Sequence, residues 1–565
     1  MKEKTVSLIS LIILSVSGIA ALLMSLYGPS PSWKFLLALY PLLVVLFGVA
    51  FLRQSGLKMA FVGLILAICL AVFQFGTPFD VALGSSAYGF VKSFGISISV
   101  AATMLMIYLM REAGALQTVS KVIKQQVIGD EIRALYVGIG FGSFLTSLGV
   151  VTPALFPPLL TAMGFSPASS IAIAVLGYDP TTSFSLLSLP ITLPAESSLP
   201  LIGFPMNPIE LAFKIAIFLP LVSTGFSFAI LWVIGGRKSM RKGAVPAIIC
   251  GLTLALTCLG TVSLDYFTGV EYVPLRIVGV VAGLFAMLSL FVYQKLAMPS
   301  TAKTKSADYP PLKEILRAFS PWIMLTTLAA IVSIPQIGNW LSTVLGNFEK
   351  ITIYADQKID LDVLAQIYTW IFLTVLLSLL TLRVTRTQAK KAFTFWIKRF
   401  WGPFLSFCVY FAISFVMACS AMEIVDGSLI ASAFYNELNM NVILGSTLAS
   451  VFGAGYVFVA AYLGLFGAVV GGSEASSNVL FLKIQRTASQ SIGLTDKEFM
   501  IVYGSHAVAG GIASAITPAK INNAVVTIDE SHETESLIMR KHLVVALLLA
   551  IATGVLAGVL TSLGI

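Results

Sequence analysis

Three ionisable residues stand where hydrophobic runs are interrupted: Asp179, Glu474 and His506. A carboxylic acid or an imidazole in apolar surroundings can take up and release a proton. An ionised carboxylate at such a place costs at least ~2.5–3.5 kcal/mol unless it faces a cavity or a partner. Short polar side chains gather at the same interruptions: Thr152, then Thr181, Thr182 and Ser183, then Ser473, Ser476, Ser477 and Asn478, and finally Thr517. Hydroxyls and an amide can hold a small anion or replace the water around a cation. Asp179, Glu474 and His506 are therefore expected to carry a proton or bind a cation, and the polar side chains to bind substrate. Each has a plainer reading. Asp179 and Glu474 could cap helix ends, His506 could be a buried structural histidine, and Ser or Thr can bond back to its own helix. Lys520 could supply a counter-charge to an anion, but it lies where a span should meet the cytoplasm and is expected to snorkel.

Enzyme chemistry has no comparable support. The chain contains no GxxxxGK[ST] sequence to cradle a nucleotide and no G-x-S-x-G elbow. Its five cysteines (Cys69, Cys250, Cys258, Cys408 and Cys419) lie in apolar runs without metal-ligand spacing. Neither a catalytic residue, a bound cofactor nor a metal is expected. The ion to be moved is a proton, with sodium as the alternative.

The elements that must position these residues follow from composition. The 565 residues are 57% hydrophobic and 11% charged, against about 25% charged in soluble domains. The chain must be a polytopic membrane protein. Its net charge of +9 is then loop charge that sets orientation, not a nucleic-acid surface. Runs long enough to cross a bilayer, which takes about 20 residues, fall at 5–27, 34–53, 57–75, 93–110, 209–235, 244–262, 274–296, 317–335, 361–383, 403–424 and 543–563. Lys2 and Lys4 put the N-terminus in the cytoplasm. The basic stretch 383–399, with Phe393, Phe395 and Trp396, should lie on the inner interface.

Residues 131–163 and 457–490 are apolar but broken by polar tips, and are expected to be re-entrant hairpins. Each precedes a span unwound near its centre, 166–190 with Gly177-Tyr178-Asp179-Pro180 and 497–520 with Gly504-Ser505-His506 and Gly510-Gly511. The two regions correspond: Leu176-Gly177-Tyr178-Asp179 with Tyr503-Gly504-Ser505-His506, and Ser188-Leu189-Pro190 with Ile516-Thr517-Pro518. One set begins outside and the other inside, so two inverted repeats are expected, 34–235 and 317–565, with an extra helix in 1–33 and connecting helices in 236–316. Inverted repeats with broken helices characterise secondary transporters, which bind substrate near the bilayer midplane.

The motifs resemble the lactate permease family. Gly471-Gly472-Ser473-Glu474-Ala475-Ser476-Ser477-Asn478-Val479-Leu480-Phe481 resembles that family's TGSDTSSNxLF signature, with Glu474 in place of its aspartate. Gly510-Gly511-Ile512-Ala513-Ser514-Ala515-Ile516-Thr517-Pro518 is similar to its GGVMGKMISP stretch, with Ala515 where the family has lysine. Residues Thr152-Pro153 and Gly177 to Ile191 resemble first-half stretches of the family. The resemblance implies a proton symporter of lactate, glycolate or a similar 2-hydroxy monocarboxylate. It implies an all-α integral membrane protein of the elevator type, with about 13 transmembrane helices plus two re-entrant hairpins. The expected setting is the cell membrane, the expected partners a small organic anion and the lipid bilayer, and, by analogy with related carriers, a second copy in a homodimer. A sodium-coupled carrier is the first alternative and a channel the second.

Overall fold

The computed structural model describes residues 31–50, 54–149, 152–178, 180–297, 309–332, 334–345, 350–354, 357–471, 473–526, 528 and 532–564. The span expected at 5–27, and Asp179, lie outside the described residues.

Among the described residues, ten helices are long and apolar enough to cross a membrane. They are Gly56–Phe73, Phe94–Glu112, Leu219–Lys242, Ala244–Thr268, Leu275–Ala297, Leu312–Val332, Arg386–Ala418, Met440–Val469, Asp496–Ile516 and Leu537–Ser562. Shorter apolar helices include Trp33–Val45, Pro167–Leu176, Leu186–Ile202 and Ile367–Thr381. The protein is thus an all-α, multi-span membrane protein. Polar N-caps open several of the helices. Ser55 accepts from the Lys58 amide, and capping boxes at Thr385 and Thr495 open helices Arg386–Arg399 and Asp496–Ile512.

Several boundaries differ from those read in the sequence. The run 209–235 is two helices, Pro208–Ala216 and Leu219–Lys242. The run 403–424 ends as a helix at Ala418, and its last residues enter a strand, Met422–Val425, paired with Ser428–Ala431. Its turn is Asp426-Gly427, both with positive φ, a pairing that favours a two-residue hairpin. A second small hairpin joins Lys350–Tyr354 to Gln357–Asp360. Helices Phe79–Lys92, Ala115–Gln126 and Met440–Phe452 were not anticipated.

Burial separates centre from periphery. In most spans a third to about three fifths of the apolar window is buried, but in Asp496–Ile516 it is 94%. This central helix packs against Tyr456–Gly471, Glu474–Ser491, Pro208–Ala216 and the last helix, His532–Ser562. Glycine permits the closest of these approaches. A Cβ on Gly464 would lie 2.0 Å from the His506 carbonyl oxygen, so no larger residue fits without moving the backbone.

Candidate functional site

Two interrupted helices meet beside one helix N-terminus. The first begins as Pro167–Leu176, capped by Ser166, and resumes as Leu189–Ile202. Between them run two short 3-10 turns, Thr182–Phe184 and Leu186–Ser188. Four residues here are left-handed: Thr182 (φ 44°), Leu186 (φ 51°), Leu187 (φ 57°) and Ser188 (φ 58°). Each costs on the order of 1–3 kcal/mol and persists only where its surroundings hold it. Two ties do so. Ser188 Oγ donates to the Leu275 carbonyl at 2.7 Å, and Ser223 Oγ donates to the Pro180 carbonyl at 2.7 Å.

The second is helix Asp496–Ile512, followed by the 3-10 turn Ala513–Ile516 and the helix Pro518–Val526. The helix is continuous through Gly504-Ser505-His506, so the interruption comes at 513–517 and not at His506. Pro190 and Pro518 both stand within the first two residues of the helix that follows an interruption.

Glu474 is the first residue of helix Glu474–Ser491 and is buried. Ser183, from the first interruption, donates its hydroxyl to Glu474 Oε1. Gly510 and Gly511 leave the room this needs. A Cβ on Gly511 would lie 2.7 Å from Thr182 Cβ and 2.8 Å from Glu474 Oε2, and one on Gly510 would lie 3.1 Å from Glu474 Cγ. One turn along from Glu474, Asn478 donates to the Pro190 carbonyl at 2.9 Å. Thr182, Ser183, Glu474, Asn478 and the two glycines thus form one cluster built from both halves of the chain. Among the described residues, four polar atoms in or next to this cluster are buried without a hydrogen-bond partner: Thr181 Oγ1, Thr182 Oγ1, Ser476 Oγ and Asn478 Oδ1. Buried polar atoms are nearly always bonded, so such a concentration suits a bound polar molecule or ion.

The other expected residues have different partners. Thr152 Oγ1 reaches the Ala174 carbonyl at 3.4 Å, and Thr517 Oγ1 bonds back to Ala513 at 2.9 Å. Ser473 is the buried residue preceding Glu474 and makes no side-chain cap bond. Ser477 Oγ donates to the Gly464 carbonyl at 3.3 Å and lies 3.3 Å from His506 Nε2.

His506 is fully buried and held from both ring nitrogens. Gln485 Nε2 lies 2.9 Å from His506 Nδ1, and its other contact is the Ala460 carbonyl. The Gln485 oxygen accepts from Tyr456 at 2.7 Å. An amide nitrogen so placed donates, which makes Nδ1 an acceptor and leaves the ring proton on Nε2, facing Ser477. Tyr503 stacks on the imidazole at 5.8 Å and donates to the Asn478 carbonyl at 2.7 Å.

Two further residues stand near these interruptions. Lys520 turns toward the interruptions. Its Nζ donates to Ser514 Oγ at 2.6 Å and lies 4.1 Å from the Tyr178 ring centroid, which joins the two halves by a cation–π contact. His542, just before the last apolar run, is fully buried and donates from Nδ1 to the Ala515 carbonyl at 2.9 Å. Among the described residues no group of three or more His, Cys, Asp or Glu could hold a metal ion.

Known proteins resemble this chain along most of its length. A glycolate permease (GlcA) of Escherichia coli strain K12 is 23% identical over 524 residues, 85% of this chain and 88% of that protein. An L-lactate permease of Halalkalibacterium halodurans is 21% identical over 513 residues, 87% of this chain and 90% of that one. An L-lactate permease of Bacillus subtilis strain 168 is 22% identical over 541 residues, with 85% and 88% covered. The L-lactate permease family matches residues 34–564. With nearly the whole described chain inside that match, the protein belongs to the L-lactate permease family.

Proposed function

We propose that this protein carries a small organic anion of the lactate or glycolate type through the cell membrane together with a proton. Proteins of its family are transporters, not enzymes. The relatives' names supply the substrate class, and the observation that carries the reading is the contact of Ser183 with Glu474 across the two interruptions. Entry of an anion against a negative interior costs about 2.3 kcal/mol per unbalanced charge at 100 mV. Protonation of Glu474, with Asp179 as a second acid, removes that cost. Thr181, Thr182, Ser183, Ser476 and Asn478 offer hydroxyl and amide groups to the substrate, and Lys520 a positive charge to its carboxylate. Ser473, Thr152 and Thr517 complete the polar lining at the helix ends. His506 serves as a neutral strut that fixes Ser477 and, through Tyr503, Asn478.

The finer architecture belongs to the same reading. Residues 34–235 and 317–565 are two inverted repeats, each with a re-entrant hairpin, 131–163 and 457–490, and about 13 helices cross the bilayer in all. The paired interruptions, after which helices resume at Leu189 and Pro518, support it. So does the packing of Tyr456–Gly471 against Glu474–Ser491, two helices separated by residues 472–473. The N-terminus is cytoplasmic, the substrate crosses by an elevator motion, and the protein works as a homodimer.

The test is uptake of labelled lactate and glycolate into proteoliposomes under an imposed proton gradient, a sodium gradient, or none. Accumulation under the proton gradient alone is expected. Accumulation driven by sodium alone would transfer the coupling to sodium, and no uptake under any gradient would overturn the substrate.

A further inference from the structure

Helix Arg386–Arg399 follows the shorter apolar helix Ile367–Thr381 and forms the polar first part of the long helix Arg386–Ala418, whose apolar part is Trp401–Ala418; it lies outside the site just described. Its sequence, RTQAKKAFTFWIKR, holds five basic residues and no acidic one. All five, Arg386, Lys390, Lys391, Lys398 and Arg399, are exposed. Among the described residues none of them has a carboxylate within ion-pair distance. The basic run Arg237-Lys238-Ser239-Met240-Arg241-Lys242 differs in this respect, since Lys242 there is bound to Glu131 at 2.8 Å.

The helix has three distinct sides. One side is fixed to the protein. Trp396 Nε1 donates to the Ala101 carbonyl at 2.7 Å, Gln388 Nε2 donates to the Glu112 carbonyl at 2.9 Å, and Ala392 is buried. The Phe395 ring sits between the Arg111 and Arg399 guanidiniums, 4.4 and 4.2 Å from its centroid. A second side is apolar and uncovered: Phe393 is 52% exposed and Ile397 36%, and Trp401 just beyond is 50% exposed. Lys391 and Lys398, seven residues apart, share the third side. Lys390, seven residues before Ile397, lies at the N-terminal end of the apolar side.

An apolar strip beside a row of unpaired ammonium groups suits the boundary between acyl chains and headgroups. We infer that helix Arg386–Arg399 is a binding site for anionic phospholipid, with Phe393, Ile397 and Trp401 among the acyl chains and Lys390, Lys391 and Lys398 at the headgroup phosphates. Zwitterionic headgroups carry their own compensating cation and satisfy this row less well. Because Trp396 and Phe395 tie the helix to span Phe94–Glu112, bound lipid holds that part of the protein in register with the membrane surface.

Native mass spectrometry of the full-length detergent-purified protein, equilibrated with phosphatidylglycerol or phosphatidylcholine of matched chains, tests this. The wild type should retain phosphatidylglycerol in preference. K390Q/K391Q/K398Q should weaken that retention by about tenfold or more, while K390R/K391R/K398R keeps it. Equal retention of the two lipids by the wild type, or full retention by the glutamine variant, overturns the site. If the glutamine variant does not fold, raised salt on the wild type decides: retention should fall with screening, and retention indifferent to salt overturns the site.

Discussion

Ser183 donates its hydroxyl to the carboxylate of Glu474, a residue 291 positions away in the other half of the chain. A hydrogen bond to an ionised carboxylate contributes about 1.5–3 kcal/mol, and its acceptor loses charge when the acid is protonated. The bond therefore ties the first interruption to the ionisation state of Glu474. Glu474→Gln should abolish proton-driven accumulation while the protein still inserts and folds. Ser183→Ala should lower uptake by roughly tenfold or more. Accumulation by E474Q at the wild-type level, measured under a pH gradient in proteoliposomes, would remove Glu474 from the coupling.

The two glycines of the central helix make that contact possible. On Gly511 a methyl group would come within 2.7 Å of Thr182 and 2.8 Å of the Glu474 carboxylate, while on Gly510 the nearest atom is 3.1 Å away. Gly511→Ala should therefore abolish uptake, and Gly510→Ala should reduce it partially, with both variants present in the membrane at normal amounts. The order of the two effects is the measurement that matters. A G510A variant worse than G511A would contradict the packing described.

His506 makes a contrasting case. Its Nδ1 accepts from Gln485, whose amide group is oriented by Tyr456 and Ala460. Adding a proton at Nδ1 would set two donors against each other in a buried space, a cost of a lost hydrogen bond and more. His506→Gln should then leave the pH dependence of uptake unchanged while lowering thermal stability, and Gln485→Leu should destabilise at least as much. A shifted pH profile in H506Q would restore the imidazole as a proton carrier.

Much of this was legible in the sequence because a bilayer punishes buried charge and broken backbone. Glu474, Ser183 and Asn478 stood out as polar residues inside apolar runs, and the structure unites them. The span boundaries were less legible where two short helices share one apolar run, as at Pro208–Ala216 and Leu219–Lys242, since hydropathy is blind to a change of axis. The second interruption was misplaced by one to three turns. Glycine suggested a break at Gly504, yet the helix runs through it, and a Cβ there would meet the Lys214 backbone at an ordinary contact distance of 3.4 Å. Lys520 was expected at the interface because snorkelling depends on which way a side chain turns, and Ser514 and Tyr178 decide that only in three dimensions.

Lys520 supplies its own prediction. Its ammonium group bonds to Ser514 and lies over Tyr178, so it stands beside both interruptions. If it attracts the substrate carboxylate, Lys520→Gln should raise the KM for lactate or glycolate by about tenfold, with a smaller effect on the maximal rate. Lys520→Arg keeps the charge and should recover part of the affinity. Unaltered KM in K520Q would assign the lysine to structure alone.

Asp362 tests the electrostatics of the loop region. It lies in the loop before helix Ile367–Thr381 and lines a cavity of about 370 Å³ together with Glu196, Glu271 and Arg276. Burial, and then the neighbouring Asp360 carboxylate, push its acid above the ordinary value. Burial likewise pushes Glu271 up. A carboxyl that holds its proton more tightly when folded favours the folded state at low pH. That contribution is lost as pH rises through the ordinary carboxylate range to the raised folded value. Asp362→Asn removes the ionisation, and asparagine tolerates the left-handed φ of 44° found here. The variant should therefore melt at a higher temperature than the wild type at neutral pH, and the two should converge in acid. Thermal unfolding in nanodiscs from acid to neutral pH measures this, and a D362N variant less stable than the wild type at neutral pH would show that the carboxylate is stabilised, not strained, in its place.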